Sequence, residues 1–374
     1  MSVNWATTHP PIVVPVILAC ALSVLSSCGA SDSALKTSFR AATTASGTLR
    51  DAAANQGIIV GSAANTNALN DSEYSTVLGD EFSQLEPEWE MKFATVHPRP
   101  GTDPLPYDFS LSDRLVDYAL LHHMQVRGHT LFWYQALPDW LENGRYTQAQ
   151  LSAIAKDHIS TVLQHFGTSV YAWDVVNEAF NDDGSLRSSV WFNQPGIGYA
   201  GRGTKYIEQV LVWSRAANPE VKLFYNDGGA ETENRKSDAI YAMAADFKHR
   251  GVPLDGVGFQ MHLDLSSDSD QWAASVERNL KRFSDLGLEI HITELDIRLS
   301  HEMENDLNAQ AELYARVAEL CLANPTCKVL QTWGFTDKYS WISDSYHGMG
   351  WALPWDAAYG KKPAYYALHQ AFAK

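Results

Sequence analysis

The hydrophobic residues of this chain follow two patterns that alternate along most of its length. Short, nearly continuous apolar runs are separated by longer stretches in which apolar residues recur every three or four positions. Runs of the first kind are typical of strands that are buried on both faces of a parallel sheet. The second pattern predicts helices with one apolar face. The predicted strands cover residues 58–64, 82–88, 126–133, 170–179, 222–227, 256–263, 288–295 and 329–335.

The helical pattern is clearest at residues 151–166 and recurs at 207–217, 270–286 and 306–322. Eight such strands alternating with helices predict the α/β class and a single closed (β/α)₈ TIM barrel, with an open doubly wound sheet as the alternative. In a barrel the carboxyl ends of all the strands meet at one face. Polar residues that end different strands therefore converge there without being close in sequence.

Two of the predicted strands each end in or near a glutamate. WDVVNEAF at 173–180 contains Asn177 and Glu178, and HITELDI at 291–297 contains Glu294. A glutamate near a strand end often caps a helix or faces solvent, so neither motif is strong evidence alone. The apolar residues before each one, however, predict a buried strand, and a carboxylate there favours a polar cleft because its burial is costly. Glycosidic bond cleavage needs two carboxyl groups, one that protonates the leaving oxygen and one that attacks the anomeric carbon or activates water.

The other strands after the first also end in residues that can bond sugar hydroxyls or stack on a sugar ring. These residues are Glu88, Lys92, His129, Trp133, Asn226, Asp227, Gln260, His262 and Trp333, and Asp296 follows Glu294 in its own strand. Taken singly, a histidine or tryptophan among them is more often an ordinary core residue. Their shared position predicts an extended sugar-binding cleft.

Composition narrows the choice of partner. The formal net charge of −16 and the pI near 5.2 argue against nucleic acid or an anionic membrane surface as a ligand, because both would be repelled. Twelve Trp and sixteen Tyr supply rings that can stack on a neutral sugar. The histidines and carboxylates do not show the clustered spacing of a metal site, so we expect neither a metal nor another cofactor.

The N-terminal region has the features of an export signal. An apolar run at 12–25 is too short to span a bilayer and is followed by small residues. The sequence LSSC that ends at Cys28 resembles a bacterial lipobox, which makes Cys28 a lipidation candidate; ordinary cleavage nearby is the alternative. No Lys or Arg occurs before Lys36, which is unusual for such a signal.

These features divide the chain into a signal peptide at 1–27, a flexible tether rich in small residues at 28–55, and a catalytic domain at 56–374. The protein is therefore expected to be exported, and either secreted or lipid-anchored at the cell surface or in the periplasm. Apart from Cys20 and Cys28 in the N-terminal region, the chain contains only Cys321 and Cys327. A disulfide between them would close a short loop and add about 2 to 3 kcal/mol of stability in an oxidising compartment, whereas two unpaired buried thiols are the alternative.

Several motifs together resemble glycoside hydrolase family 10, whose members are mostly endo-β-1,4-xylanases on a retaining (β/α)₈ barrel. The resemblance covers roughly residues 55–374. Its motifs are GHTLFW at 128–133, WDVVNEAF at 173–180, LFYND at 223–227, GVGFQMHL at 256–263, ITELDI at 292–297, WGFTDKYSW at 333–341 and KKPAYYAL at 361–368.

The resemblance implies that Glu178 is the general acid and base and that Glu294 is the nucleophile that forms a glycosyl-enzyme intermediate. A cysteine pair such as Cys321 and Cys327 also matches a disulfide that is common in the family. The residues implied to orient or support the nucleophile are Gln260, His262, Asp296 and Asn226.

The same resemblance implies a set of substrate contacts. Asn177 would hold the 2-hydroxyl of the sugar being cleaved, His129 and Lys92 would bind that sugar, and Glu88 would hold the next one outward. The tryptophans implied to contact the substrate are Trp133, Trp333 and Trp341.

The chain departs from the family pattern at three positions. Trp89 stands where the family usually has an asparagine that bonds a sugar hydroxyl, and Tyr134 and Ala136 stand where it commonly has histidine and glutamine. An indole cannot replace an amide as a hydrogen-bonding group, so we expect a change in glycone preference or affinity rather than loss of chemistry. We also expect the glycine-rich stretch at 196–203 to reshape the aglycone side of the cleft, with a passive solvent loop as the alternative.

The function predicted from the sequence is hydrolysis of internal β-1,4-xylosidic bonds of xylan by retention, by a protein expected to be a monomer. One alternative is a related barrel hydrolase that acts on another β-1,4-glucan. The other is a surface glycan-binding lipoprotein without turnover, which the three departures from the family pattern make conceivable.

Overall fold

Eight parallel strands close into a barrel in the computed structural model, which describes residues 45–300 and 306–374. All of the strands are β1 (Ile59–Ala64), β2 (Gln84–Pro87), β3 (Gln125–Phe132), β4 (Ala172–Asn177), β5 (Lys222–Asp227), β6 (Gly256–Phe259), β7 (His262–Asp264), β8 (Glu289–Ser300), β9 (Cys327–Thr332) and β10 (Met349–Gly350). The barrel omits β7 and β10, which both pair with β8. Pairing of β1 with both β2 and β9 closes the ring. The predicted TIM barrel is confirmed.

Helices precede, connect and follow the strands of the barrel. They are α1 (Leu49–Asn55), α2 (Ser72–Glu81), α3 (Phe93–Val96), α4 (Ser110–Leu121), α5 (Asp139–Glu142), α6 (Gln148–Phe166), α7 (Lys205–Ala217), α8 (Arg235–Arg250), α9 (Asp270–Asp285), α10 (Leu307–Ala323), α11 (Ile342–Ser345) and α12 (Pro363–Phe372). Within the described part of the chain, no helix combines the length and apolar character needed to cross a membrane.

Local sequence accounts for the ends of the longer helices. Thr147 and Gln150 form a capping box at the start of α6, and Asn234 and Ser237 do the same for α8. Gly251 adopts a left-handed conformation with φ of 73° and ends α8. The apolar stripe of α6 that the sequence predicted, including Leu151, is buried.

The structure corrects the predicted start of the folded domain. Residues 49–55, assigned to the flexible tether, form α1, in which Leu49 and Ala53 are buried. Helix α1 packs against α12, and Gln56 Nε2 donates to the carbonyl oxygen of Lys374 at 2.8 Å. The small residues that suggested a tether are those that let α1 lie close to its neighbour. The predicted signal peptide and residues 28–44 of the predicted tether, with Cys28, lie outside the described residues.

Most strand boundaries differ from the prediction by one to three residues, and two differences are larger. The segment 256–263 is not one strand, because Gln260 and Met261 separate β6 from β7, and Met261 has a φ of 61°. Strand β8 continues to Ser300 rather than ending at residue 295, since β7 and β10 supply partners beyond the barrel. The turn after β6 matters for the site because it directs Gln260 and His262 into the same cleft.

The disulfide predicted between Cys321 and Cys327 is present. It joins the end of α10 to the first residue of β9, and the two Cα atoms are 5.3 Å apart. It therefore fixes the turn that precedes the last strand of the barrel.

Candidate active site

A cleft of about 810 Å³ opens at the carboxyl ends of the barrel strands. It is the only place where all the predicted catalytic and substrate-contacting side chains meet among the described residues. Those lining it are Glu88, Lys92, His129, Trp133, Asn177, Glu178, Gln260, His262, Glu294, Trp333 and Trp341. Asn226 and Asp296 lie behind this surface, where both are fully buried. The structure thus brings the predicted residues together, while the role of each stays a prediction.

Glu178 follows the last residue of β4 and has an unusual backbone conformation. Its φ is 53°, in the left-handed region that a residue with a side chain enters only at a cost. Its N–H donates to the carbonyl oxygen of Asn226 at 2.9 Å, and its own carbonyl oxygen accepts from Arg187 Nε at 3.0 Å. These bonds hold the strained turn. As a result the carboxyl group points into the cleft instead of continuing the strand pattern.

Neutral donors bind the carboxyl group of Glu178. Trp133 Nε1 donates to Oε2 at 3.1 Å and Gln260 Nε2 donates to Oε1 at 2.9 Å, with Asn177 Nδ2 farther away at 3.4 Å. The family resemblance predicts that Gln260 orients the nucleophile, but in the structure its amide contacts Glu178. The turn after β6 is the reason, because it directs the Gln260 side chain toward β4.

Glu294 is only 4% exposed, and polar and charged side chains contact both of its carboxylate oxygens. Asn226 Nδ2 donates to Oε1 at 2.8 Å, and His262 Nε2 lies 3.0 Å from Oε2. On the other side of the imidazole, His262 Nδ1 lies 2.8 Å from Asp296 Oδ2, which also accepts from Trp341 Nε1 at 2.9 Å. His262 therefore lies between the predicted nucleophile and Asp296.

These contacts set the charge of Glu294. Burial alone would raise its pKa, but the hydrogen bond and positive charge of His262, with His129 and Asn226, lower the pKa below its usual range. Burial works against the charged form of His262 too, but the Asp296 and Glu294 carboxylates raise the pKa of His262 well above its ordinary value. An imidazolium between two carboxylates therefore keeps Glu294 ionised.

One asparagine connects the two glutamates. Asn226 Nδ2 donates to Glu294 and also to Asn177 Oδ1 at 3.0 Å, while Thr293 Oγ1 donates to Asn226 Oδ1 at 2.8 Å. Asn177 in turn is adjacent to Glu178. The two carboxyl groups thus face the same cleft, and the side-chain amides of Asn226 and Asn177 connect them through hydrogen bonds.

Lys92 places a cation among three indole rings. Its Nζ is 4.1 Å from the ring centroid of Trp89, 4.6 Å from that of Trp133 and 5.8 Å from that of Trp333. Burial lowers the pKa of Lys92, and among the carboxylates that oppose this effect Glu294 has the largest influence. The Trp333 ring also lies 6.4 Å from that of His262, the partner of Glu294, so the ammonium group lies on the Glu294 side of the cleft, where it can bond sugar hydroxyls.

Glu88, which also lines the cleft, has a raised pKa. Burial is the main cause, and the charge of Glu90 adds to it, so that the pKa of Glu88 rises to about 7 despite a hydrogen bond from Asn65 Nδ2 at 3.1 Å. A carboxyl group of this kind can either donate to or accept from a sugar hydroxyl near neutral pH.

A fully buried polar layer below the cleft was not predicted. Arg127 Nε lies 3.3 Å from Glu86 Oε2 and 3.2 Å from Asp174 Oδ2, and His129 Nδ1 lies 3.0 Å from the same Asp174 atom. On the far side Arg127 Nη1 is 2.6 Å from His291 Nδ1. The layer orients His129 from beneath. Its only sequence signal was a set of polar residues inside otherwise apolar strands, two or more positions before their ends.

Glu86, His129 and Glu294 have ligand atoms within 4.8 Å of one another, close enough to hold a metal ion. Their chemistry does not fit that use. Glu294 is occupied by His262 and Asn226, and the positive charge of Arg127 is adjacent to Glu86. A divalent cation would have to displace these contacts, so we assign no metal here.

The departures from the family pattern have different surroundings. Tyr134 lines the cleft, and the Arg187 guanidinium lies 4.5 Å from its ring centroid. Ala136 is in the loop after β3, where its carbonyl oxygen accepts from the N–H of Ala94 at 2.8 Å. The stretch 196–203 does not line the cleft, which contradicts the expectation that it reshapes the aglycone side. Gly198 instead packs against Gln148 at the start of α6, where a Cβ would come within 2.5 Å of the amide nitrogen.

A (β/α)₈ barrel with two glutamates in one cleft, connected by hydrogen-bonded asparagines and walled by tryptophans, has the architecture of a glycoside hydrolase. Comparison with known proteins agrees with this class. The family model described as glycosyl hydrolase family 10 matches residues 48–371, and the chain belongs to that family.

Named relatives and solved structures are similar over most of the chain. Endo-1,4-beta-xylanase B of Thermotoga neapolitana is 41% identical over 327 residues, which cover 86% of this chain and 90% of the relative. The crystal structure of native xylanase 10B from Thermotoga maritima has a TM-score of 0.81 at 41% identity, and covers 87% of this chain and 98% of its own. Xylanase 10B from Thermotoga petrophila, solved in complex with xylobiose, has a TM-score of 0.81 at 40% identity, with coverages of 88% and 98%.

Proposed function

We propose that this protein is a retaining endo-β-1,4-xylanase in which Glu294 is the nucleophile and Glu178 the general acid and base. The observation that supports these roles best is the contrast between the two carboxyl groups. Glu294 has a lowered pKa because His262 stabilises its charge, whereas the donors on Glu178 are neutral indole and amide groups. Two carboxyl groups with different environments are what a double displacement requires.

In the first step Glu294 attacks the anomeric carbon while Glu178 gives its proton to the glycosidic oxygen. The bond between carbon and leaving oxygen breaks, the aglycone leaves with that proton, and a covalent glycosyl ester forms on Glu294. In the second step Glu178, now ionised, removes a proton from water, and the resulting hydroxide attacks the same carbon. The ester bond breaks and Glu294 regains its negative charge. Two inversions at one carbon give net retention.

The walls of the cleft suit a neutral polysaccharide. Lys92 and His129 offer hydrogen bonds beside Glu294, and Trp333 and Trp341 supply flat apolar surface in the same lining. The relative from Thermotoga petrophila was solved with xylobiose, which supports a xylo-oligosaccharide as the ligand of this cleft as well.

The proposed reaction is tested by measuring reducing ends released from xylan and from carboxymethylcellulose. The wild type should act on xylan, and Glu294→Ala should lose all measurable turnover. Glu178→Ala should be inactive on xylan but should regain activity with added azide on an aryl β-xylobioside, giving the β-azide. Glu277→Ala, which removes an exposed carboxyl group from α9, is the matched control. Binding of xylan with no product from the wild type would refute the enzyme and leave a binding protein.

We also propose that the protein is exported and that Cys28 is a lipidation site. The apolar run at 12–25 and the sequence LSSC that ends at Cys28 support this proposal. Expression of the full chain in a bacterial host with labelled palmitate should label the wild type and not Cys28→Ala. An unlabelled, fully soluble wild type would contradict lipid anchoring but not export.

A further inference from the structure

Trp89 exposes an unusually large part of its side chain. It is 57% exposed although tryptophan is normally well buried, and it lies in the lining of the cleft next to Glu88. Leaving an indole in water forgoes the free energy that its burial would give. An exposed indole in a binding cleft therefore indicates a surface that a ligand covers.

The backbone around Trp89 is firmly held. Its N–H donates to Glu90 Oε2 at 3.2 Å, and its carbonyl oxygen accepts from Thr95 Oγ1 at 2.9 Å and from the N–H of Lys92 at 3.1 Å. The loop after β2 thus projects the ring from a fixed base. A ligand that stacks on it does not have to order the loop first, which is the benefit of preorganisation.

The position of Lys92 shows where along the substrate Trp89 lies. Lys92 Nζ is 4.1 Å from the Trp89 ring centroid and also contacts Trp133 and Trp333. The Trp333 ring centroid lies 6.4 Å from that of His262, which contacts Glu294, so Lys92 lies on the side of the cleft where the nucleophile attacks the sugar. Trp89 is one side chain farther out on the same glycone side.

We propose that Trp89 is the stacking platform for the second glycone sugar, the unit adjacent to the one whose bond is cleaved. This inference rests on the proposed xylanase function and names the residue that determines affinity at that subsite. The C–H groups on the face of a β-linked pyranose pack on the indole, while Glu88 is close enough along the chain to bond its hydroxyls. A stacking ring contacts the sugar face rather than one hydroxyl. It therefore discriminates weakly between xylose and glucose, in contrast to a site built on a hydrogen bond to a particular hydroxyl.

The test compares two substrates that differ only by this sugar. An aryl β-xylobioside fills two glycone subsites and an aryl β-xyloside fills one. We expect Trp89→Ala to lower kcat/KM on the xylobioside by about 10-fold or more, mainly through KM, and to leave the xyloside unchanged. On an aryl β-cellobioside the loss should be similar to that on the xylobioside. Trp89→Phe should keep most of the activity because it retains an aromatic face. Leu121→Ala, which truncates a side chain on α4 that is 76% exposed, should leave kcat/KM unchanged on both substrates.

Equal losses on the xyloside and the xylobioside, or no loss on either, would overturn the assignment. A Trp89→Phe variant as impaired as Trp89→Ala would also overturn it, since the indole N–H and not the ring face would then be responsible. Calorimetric titration with xylotriose separates this inference from the proposed function. A wild type that binds xylotriose without cleaving it refutes the enzyme, yet weaker binding by Trp89→Ala would still support the platform.

Discussion

Replacing His262 by glutamine removes the positive charge that keeps Glu294 ionised. The His262 Nε2 atom is 3.0 Å from Glu294 Oε2, and at an effective dielectric constant of about 20 a pair of charges at that distance interacts by about 5 kcal/mol. Burial of Glu294 opposes this effect, because desolvation raises its pKa. Opposite charges at such distances shift a carboxyl pKa by about 1 to 3 units. We therefore expect the pKa of Glu294 to rise by about 1 to 3 units in His262→Gln.

The assay is the pH dependence of kcat/KM on an aryl β-xylobioside, whose acid limb reports the ionisation of the nucleophile in the free enzyme. The sign follows from the lowered pKa. The wild-type Glu294 stays ionised to low pH, so its acid limb is low, and the limb should move upward in His262→Gln. His249→Gln, which changes an exposed histidine on α8, is the control and should leave the limb in place. An acid limb that is the same in His262→Gln and the wild type would refute the electrostatic explanation, whatever the loss of kcat.

Two further predictions concern stability. Gly128→Ala should lower the free energy of unfolding, measured in urea, by about 1 to 3 kcal/mol, because the new Cβ would come 2.4 Å from the buried ring of Trp173. Gly101 has open space around it, so Gly101→Ala should leave that free energy nearly unchanged. His158 is fully buried, its ring centroid lies 3.8 Å from that of Phe93, and neither ring nitrogen is hydrogen-bonded among the described residues. Burial lowers the pKa of His158 well below its usual value. Its contribution to the free energy of unfolding is therefore fully present above the unfolded-state pKa of about 6.5 and falls by up to about 1.4 kcal/mol per pH unit below it. His158→Phe should flatten that fall in urea midpoints measured from pH 7 to 5, and an unchanged pH dependence would contradict the assignment.

The barrel could be predicted because its strands are marked by apolar runs that the intervening helices do not share. The pattern failed at 256–263, where the residues stay apolar enough for a strand although the backbone turns at Met261 with a φ of 61°. Side-chain type does not reveal such a turn. The prediction from residue pattern also failed at α1, because alanine is common both in flexible tethers and in helices that pack closely against a neighbour.

The positions of Glu178 and Glu294 were predictable for a topological reason, since a barrel gathers the strand ends at one face. Their partners were less so. Gln260 and His262 are two residues apart, yet one contacts Glu178 and the other Glu294. That division depends on the turn between β6 and β7, and no spacing rule along the sequence predicts it.

Charge state was the least predictable property, as two histidines show. His262 lies between two carboxylates, which raise its pKa well above the ordinary value. Burial lowers the pKa of His291 to about 4, and the charge of Arg127 adds to that effect. Both are histidines near polar strand residues in the sequence. Arg127 of β3 contacts one nitrogen of His291 and Glu289 of its own strand contacts the other, and the sequence does not show which of these effects or burial dominates.

Two buried glutamates, Glu86 and Glu294, have pKa shifts in opposite directions. Burial, and then the charge of Asp174, raises the pKa of Glu86 well above its usual range, since the one guanidinium that opposes them, Arg127, is shared with Asp174. Glu294 has His262 on one oxygen and Asn226 on the other, and its pKa is lowered. The negative charge of Glu294 is itself one cause of the raised pKa of Glu86. The raised pKa of Glu86 favours its neutral form, so Glu86 adds less negative charge beside the nucleophile than an ordinary glutamate would, and it opposes the stabilisation from His262 less.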